Sequence, residues 1–99
     1  MPGFRITHRA REDLKSIARY SERHWGKVQR DNYLVALNAR FEWLAFHPQM
    51  GKHRTDIQPG YYSFPQGSHV VFYLIQDDHI AIIGIPHREM DIASYFGTD

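Results

Sequence analysis

HVVFYLIQDDHIAIIGIPHREMD, residues 69–91, holds the densest apolar runs of the sequence and its most unusual short motif. Val70, Val71, Phe72, Tyr73, Leu74 and Ile75 form a β-branched and aromatic run. Ile80, Ala81, Ile82, Ile83, Gly84 and Ile85 form a second, with only Gln76, Asp77, Asp78 and His79 between them. Two such runs joined by a short polar connection predict an antiparallel hairpin. Asp77-Asp78 is weaker turn chemistry than Asn-Gly, so the pairing register is fixed only to within a residue. Strands apolar on both faces need cover and edge neighbours, because a bare hydrophobic edge recruits other chains. The remainder of the chain has to supply both.

A chain of 99 residues suffices for one domain with a single modest core, so residues 1–99 are read as one unit. A hydrophobic content of 42% with 14% aromatics places the chain among folded globular proteins. Cysteine is absent, which excludes disulfides and thiolate metal sites and fits a cytoplasmic protein. No apolar stretch reaches the roughly 18–20 residues of a membrane span and residues 1–10 lack a signal-peptide core, so no membrane association is expected. Net charge is +1 with a pI near 8.1, short of the pI of about 9 that marks a strongly nucleic-acid-binding domain. Direct nucleic-acid binding is not expected.

Around the hairpin, Phe4, Arg5 and Ile6 alternate as a short strand over residues 3–7, which would pair at an edge of the sheet. Thr7 is placed to cap a following helix, whose inward stripe is Ala10, Leu14, Ile17, Ala18, Ser21 and Trp25, and Gly26 stops it. A second stripe, Val28, Leu34, Leu37, Phe41, Leu44 and Ala45, predicts a second helix that Pro48 prevents from continuing beyond His47. The brief connection at Gly26 makes the two an antiparallel hairpin. Val35, Trp43 and Phe46 lie off the second stripe and are expected to pack, with an exposed partner surface as the alternative. Residues 48–60, PQMGKHRTDIQPG, read as a loop, and Tyr61 to Phe64 as a third strand with Pro65 near its end. The result is a three-stranded meander. After Pro86, residues 88–96 predict one or two turns of helix with Met90, Ala93 and Tyr95 facing inward.

Taken in this order the pieces resemble the ParE branch of the RelE/ParE toxin superfamily. The marks are Thr7, Ala10, Asp13-Leu14, Ile17, Phe41, Leu44, Pro48, Gly51 and Gly60-Tyr61, then HVVFYLI at 69–75, IAIIGI at 80–85 and PHREMD at 86–91. Two positions depart from the family pattern: Leu74 follows Phe72-Tyr73, and Gly84-Ile85-Pro86 precedes His87, where basic residues are common. The resemblance implies an α+β fold of β-α-α-β-β-β order, with the meander packed on the helix hairpin and a short C-terminal helix. It implies a cytoplasmic toxin neutralised by a ParD-like antitoxin and directed at DNA gyrase, with no cofactor. A RelE-type, ribosome-dependent messenger RNA endoribonuclease is the alternative, and a non-toxic antitoxin-binding module a third reading.

A metal-free ribonuclease would need a base, an acid and cations at the phosphate, and the parts would be His87, Tyr95, Lys52, Arg54 and Arg88. Near-neutral charge and the two missing basic positions favour the non-enzymatic reading, because cleavage has to concentrate cations around phosphates. The expected target-binding residues are then His87, Arg88, Met90, Asp91 and Arg54, and the expected antitoxin anchors Val35, Trp43, Phe46 and Phe96. Asp91, four residues beyond His87, offers a pairing across a helical turn that would raise the imidazole pKa. The seven histidines form no i, i+4 pair or His-Glu-x-x-His element, so no metal is expected. Neither a Gly-x-Ser-x-Gly elbow nor a Gly-rich phosphate loop is present.

Overall fold

Strand β1 (Gly3–Ile6) leads into helices α1 (His8–Trp25) and α2 (Lys27–Phe46), a 3-10 turn at Pro48–Met50, and strands β2 (Lys52–His53), β3 (Tyr62–Gln66), β4 (His69–Ile75) and β5 (His79–Gly84). A short helix α3 (Ile92–Phe96) closes the chain in this computed structural model, which describes residues 2–97. The strands form one sheet in the order β1-β5-β4-β3-β2, with β1 parallel to β5 and every other neighbour antiparallel.

The hairpin forms as its apolar runs require, Ile75 opposite Ile80 and Leu74 opposite Ala81, and its register slips at an irregularity between Phe72 and Tyr73. That break alters the pairing of the last rungs, where Phe72 faces Gly84. β1 covers the otherwise bare edge of β5. Thr7 joins the strand to the helix: its N–H and its hydroxyl both donate to the Ile82 carbonyl at 3.1 Å, and the hydroxyl oxygen accepts from Ala10 N–H at 3.3 Å.

Helix α1 ends at Gly26, whose φ of 88° strains any other residue type and whose N–H bonds the Glu22 carbonyl at 2.9 Å. α2 follows at once, so the helices lie together against one face of the sheet. The core between them is Ala10, Ile17, Leu37, Phe41, Leu44, Val71, Tyr73, Ile80 and Ile82. Each large side chain so buried contributes about 1.5–3 kcal/mol. Tyr73 is fully buried yet satisfied: its hydroxyl donates to the Pro48 carbonyl at 2.7 Å and accepts from Gly51 N–H at 3.0 Å.

Several expectations need correction. The 48–60 segment is not all loop, because Lys52 and His53 pair with Ser63 and Tyr62 as a two-residue strand. With β1 this makes the sheet five-stranded. Pro65 sits inside β3, opposite Val70, and is tolerated because β2 reaches only to Ser63, leaving that side of Pro65 without a strand to receive an N–H. Trp25 and Val28 are not core but 68% and 76% exposed. Trp25 stands in the last turn of α1, and Val28 lies six residues before Leu34, about 120° from the face that Leu34, Leu37 and Phe41 share. Of the three residues off that face, Trp43 packs as expected, whereas Val35 and Phe46 do not. The terminal helix begins at Ile92 rather than Arg88, leaving Met90 47% exposed in the preceding turn.

Candidate functional site

Beyond the end of the core, α1, the start of α2 and the ends of β4 and β5 diverge and leave a groove of about 730 Å³. Its rim is Tyr20, Trp25 and Met90, three large apolar side chains that the fold leaves exposed. Ile17, Ile85 and Pro86 are buried at its base, and Tyr33, Ser68, His69, His87, Asp13 and Tyr95 supply its polar lining. An apolar rim around a few converging polar groups is the usual make-up of a binding cleft.

His69 begins β4, and His87 pairs with it as an isolated antiparallel bridge just after β5, so the backbone sets the two imidazoles side by side. Their ring centroids are 5.4 Å apart in an edge-to-face arrangement. The Tyr33 hydroxyl, brought from α2, lies 2.6 Å from His69 Nδ1 and accepts from Ser68 N–H at 3.0 Å. The same hydroxyl is placed to donate to the Gln66 carbonyl at 3.2 Å. Burial pushes the His69 pKa down to about 4, the neighbouring His87 adds to that, and Asp13 opposes it. His69 is therefore neutral at neutral pH. Burial also raises the Tyr33 pKa, offset by the Ser68 N–H and by the charge of Arg88.

One wall of the groove is held by a carboxylate. Asp13 Oδ2 accepts Ile85 N–H at 2.8 Å and a short hydrogen bond from the Tyr95 hydroxyl, tying α1 to the end of β5 and to α3. Burial, and then the Asp13 carboxylate, raise the Tyr95 pKa. Arg9 fastens the same helix from the other side, its guanidinium 3.9 Å from the Tyr95 ring centroid and bonded to the Tyr95 carbonyl.

The expected functional residues divide between two places. His87, Met90 and Tyr95 line the groove, and Arg88, exposed, stands beside it. The expected pairing of Asp91 with His87 does not form. Asp91 caps α3 instead, accepting from Ala93 N–H at 3.2 Å and Ser94 Oγ at 3.0 Å, while His87 Nδ1 accepts from Glu89 N–H at 3.2 Å. Lys52 and Arg54 belong to the other edge of the sheet. Arg54 is bound through two nitrogens to Asp56 at 3.0 and 2.9 Å and through a third to Ser63 Oγ at 3.3 Å, and its guanidinium lies 5.5 Å from the Phe72 ring. That pairing holds the Asp56 carboxyl below its usual range.

Val35 and Phe46 are 69% and 52% exposed on α2, and neither lines the groove. Trp43 and Phe96 are half-buried and engaged internally, Trp43 against Phe64 and Arg40, and Phe96 against Phe72, Tyr61 and Tyr95. Sequence reasoning missed Asp13, Tyr20, Trp25, Tyr33 and His69 as site residues. Asp13 carried a signal, an acid one position from Leu14 and three from Ala10 on the inward side of α1. The Tyr33–His69 contact, between residues 36 apart in sequence, carried none.

The fold is that of RelE/ParE-type toxins. One chain of the chromosomal ParDE TA system from P. aeruginosa superposes with a TM-score of 0.76 at 18% identity, covering 90% of this chain and 98% of its own. A chain of the toxin–antitoxin complex RelBE2 from Mycobacterium tuberculosis gives 0.64 at 24% identity, over 89% and 100%. In sequence, residues 4–92 match the model of the ParE toxin of type II toxin–antitoxin systems, and the chain belongs to that family. Toxin ParE1 of Caulobacter vibrioides is 37% identical over 97 residues, 98% of this chain and all of that protein, and Toxin ParE of Escherichia coli is 29% identical over 93 residues, 93% and 90% of the two.

Proposed function

We propose that this ParE-family toxin binds and inhibits DNA gyrase when free, without catalysing a reaction itself, and that a ParD-like antitoxin silences it by occupying the groove. The observation that carries this reading is the rim of Tyr20, Trp25 and Met90, exposed apolar side chains around a pocket of about 730 Å³ that the described residues do not fill. A partner helix or strand laid there would bury them, and extending over α2 it would reach Val35, Phe46 and the edge of Trp43; Phe96, packed on Phe72 and Tyr61, would need a second stretch of the partner. His87, Arg88 and Met90 are the proposed contacts to the target. Because they border or line the same groove, antitoxin and target would exclude one another. Asp91 and Arg54 have lesser parts in this reading, since their polar atoms are already engaged.

The division of the nuclease parts supports the non-enzymatic reading. Tyr95 spends its proton on Asp13, Arg54 is held by Asp56, and Lys52 and Arg54 lie at the other sheet edge from β1 and β5. Expression of the chain should produce growth arrest with gyrase-linked DNA breaks, relieved by co-expression of a ribbon-helix-helix partner encoded beside it. Cleavage of messenger RNA on translating ribosomes, abolished by His87→Ala or Arg88→Ala, would overturn the reading in favour of the nuclease. Tight partner binding with no growth arrest would reduce it to a non-toxic binding module.

A further inference from the structure

We propose that one end of the groove is an acid-recognition subsite, built by His87, His69 and the adjoining Arg88 to receive one Asp or Glu side chain of the antitoxin segment that lies along the apolar rim. This rests on the reading of the groove as the antitoxin site and adds the chemistry of the residue it selects.

His87 Nδ1 accepts from Glu89 N–H, so the proton of the neutral ring is on Nε2, which has no partner among the described residues. His69 Nδ1 is engaged by the Tyr33 hydroxyl, and its Nε2 has no partner among the described residues. Arg88 forms no ion pair among the described residues, although its charge is felt at the Tyr33 hydroxyl. The His87 N–H, the His69 ring 5.4 Å from it and the Arg88 guanidinium form a donor-rich corner at one end of the groove.

Among the described residues, the carboxylates nearby do not fill it. Asp13 is committed to Ile85 N–H and the Tyr95 hydroxyl, Asp91 to the first turn of α3, and the Glu89 side chain is exposed with no hydrogen bond among the described residues. Tyr33 and Tyr95 both hold their protons, by burial first in each case, and so add no negative charge. A carboxylate from outside would accept from the His87 N–H and meet Arg88, with the His69 ring beside it, while the residues next to it in the partner's chain covered Tyr20, Trp25 and Met90. An uncharged or basic residue at that point would leave the donors desolvated and unpaired, which is how such a corner discriminates between segments.

The test begins with the protein alone and two probes of nearly equal shape, phenylacetate and its neutral amide, phenylacetamide. Nuclear magnetic resonance titrations should show both shifting Tyr20, Trp25 and Met90. Only phenylacetate should shift the His69 and His87 ring signals and raise the His69 pKa, and it should bind about tenfold more tightly. His87→Gln should abolish that preference while the rest of the spectrum stays native. Equal binding of the two probes, or no perturbation of the two imidazoles, overturns the subsite.

In the complex, conversion of each antitoxin Asp and Glu to its amide should reveal one position that costs about tenfold against the native toxin and nothing against His87→Gln. If no position couples in this way the subsite fails while the antitoxin reading stands. If the antitoxin does not bind the native toxin at all, the reading fails and takes the subsite with it.

Discussion

Two clusters of cationic and aromatic residues flank the sheet, and they are built from nearly the same side chains to opposite effect. At the outer cluster Arg54 lies over Phe72 with Tyr61 and Phe96 close by, and Asp56 and Ser63 take up its donors. At the groove, His87, His69 and Arg88 stand near Tyr20, Trp25 and Met90, with donors left over and apolar surface uncovered among the described residues. Residue type does not separate a structural cluster from a binding one. The inventory of satisfied donors does.

That contrast is open to attack at both ends. The largest effect should come from the groove rim: Trp25→Asp should weaken antitoxin binding about 100-fold, measured by calorimetry, while stability changes by no more than about 0.5 kcal/mol because the side chain is exposed. Next comes the wall. Asp13→Ala strands the Ile85 N–H and the Tyr95 hydroxyl and should cost about 2 kcal/mol in urea denaturation, whereas Tyr95→Phe, which leaves the backbone bond intact, should cost about half as much. A variant pair with equal costs would show that the two bonds do not act as described.

The pH dependence sharpens the comparison further. The folded-state pKa of His69, about 4, lies below the roughly 6.5 of the unfolded chain, so the unfolded state binds the extra proton between those values. The stability it contributes is full above about pH 6.5 and is lost as pH falls toward 4. Discounted for a ring that is partly open to solvent, the loss is about 1–3 kcal/mol, and His69→Gln should flatten that part of the stability profile. The smallest effect belongs to the outer cluster: Arg54→Gln should leave gyrase inhibition and antitoxin affinity within about twofold of native, since its charge is already spent on Asp56.

What the sequence made legible was local or strongly periodic. The β4–β5 hairpin, the Thr7 cap, the stop at Gly26 and the end of α2 before Pro48 follow from signals within a few residues of where they act. β2 was invisible because a two-residue strand has no period, and it exists only through pairing with Tyr62 and Ser63. The terminal helix was placed too early because the Asp91 carboxylate, expected beside His87, serves as the cap that starts it.

The candidate site was half legible. His87, Arg88 and Met90 stood out as a motif after the last strand. The partners that give them meaning, Tyr33, His69 and Asp13, arrive from α2, β4 and α1, and only the folded chain brings them together. Trp25 was misread as core because helical periodicity reports which face a residue occupies, not how far the neighbouring sheet extends to cover it.

The central claim is that the corner beside the groove is used by target and antitoxin in turn. Supercoiling by purified gyrase, measured against rising concentrations of the native chain and of the His87→Ala, Arg88→Ala double variant, tests it most directly. The account predicts inhibition by the native chain, at least about tenfold weaker inhibition by the double variant, and full recovery of supercoiling on adding one equivalent of antitoxin. Inhibition by the double variant equal to the native chain, or a complex in which antitoxin is bound and gyrase remains inhibited, would contradict it.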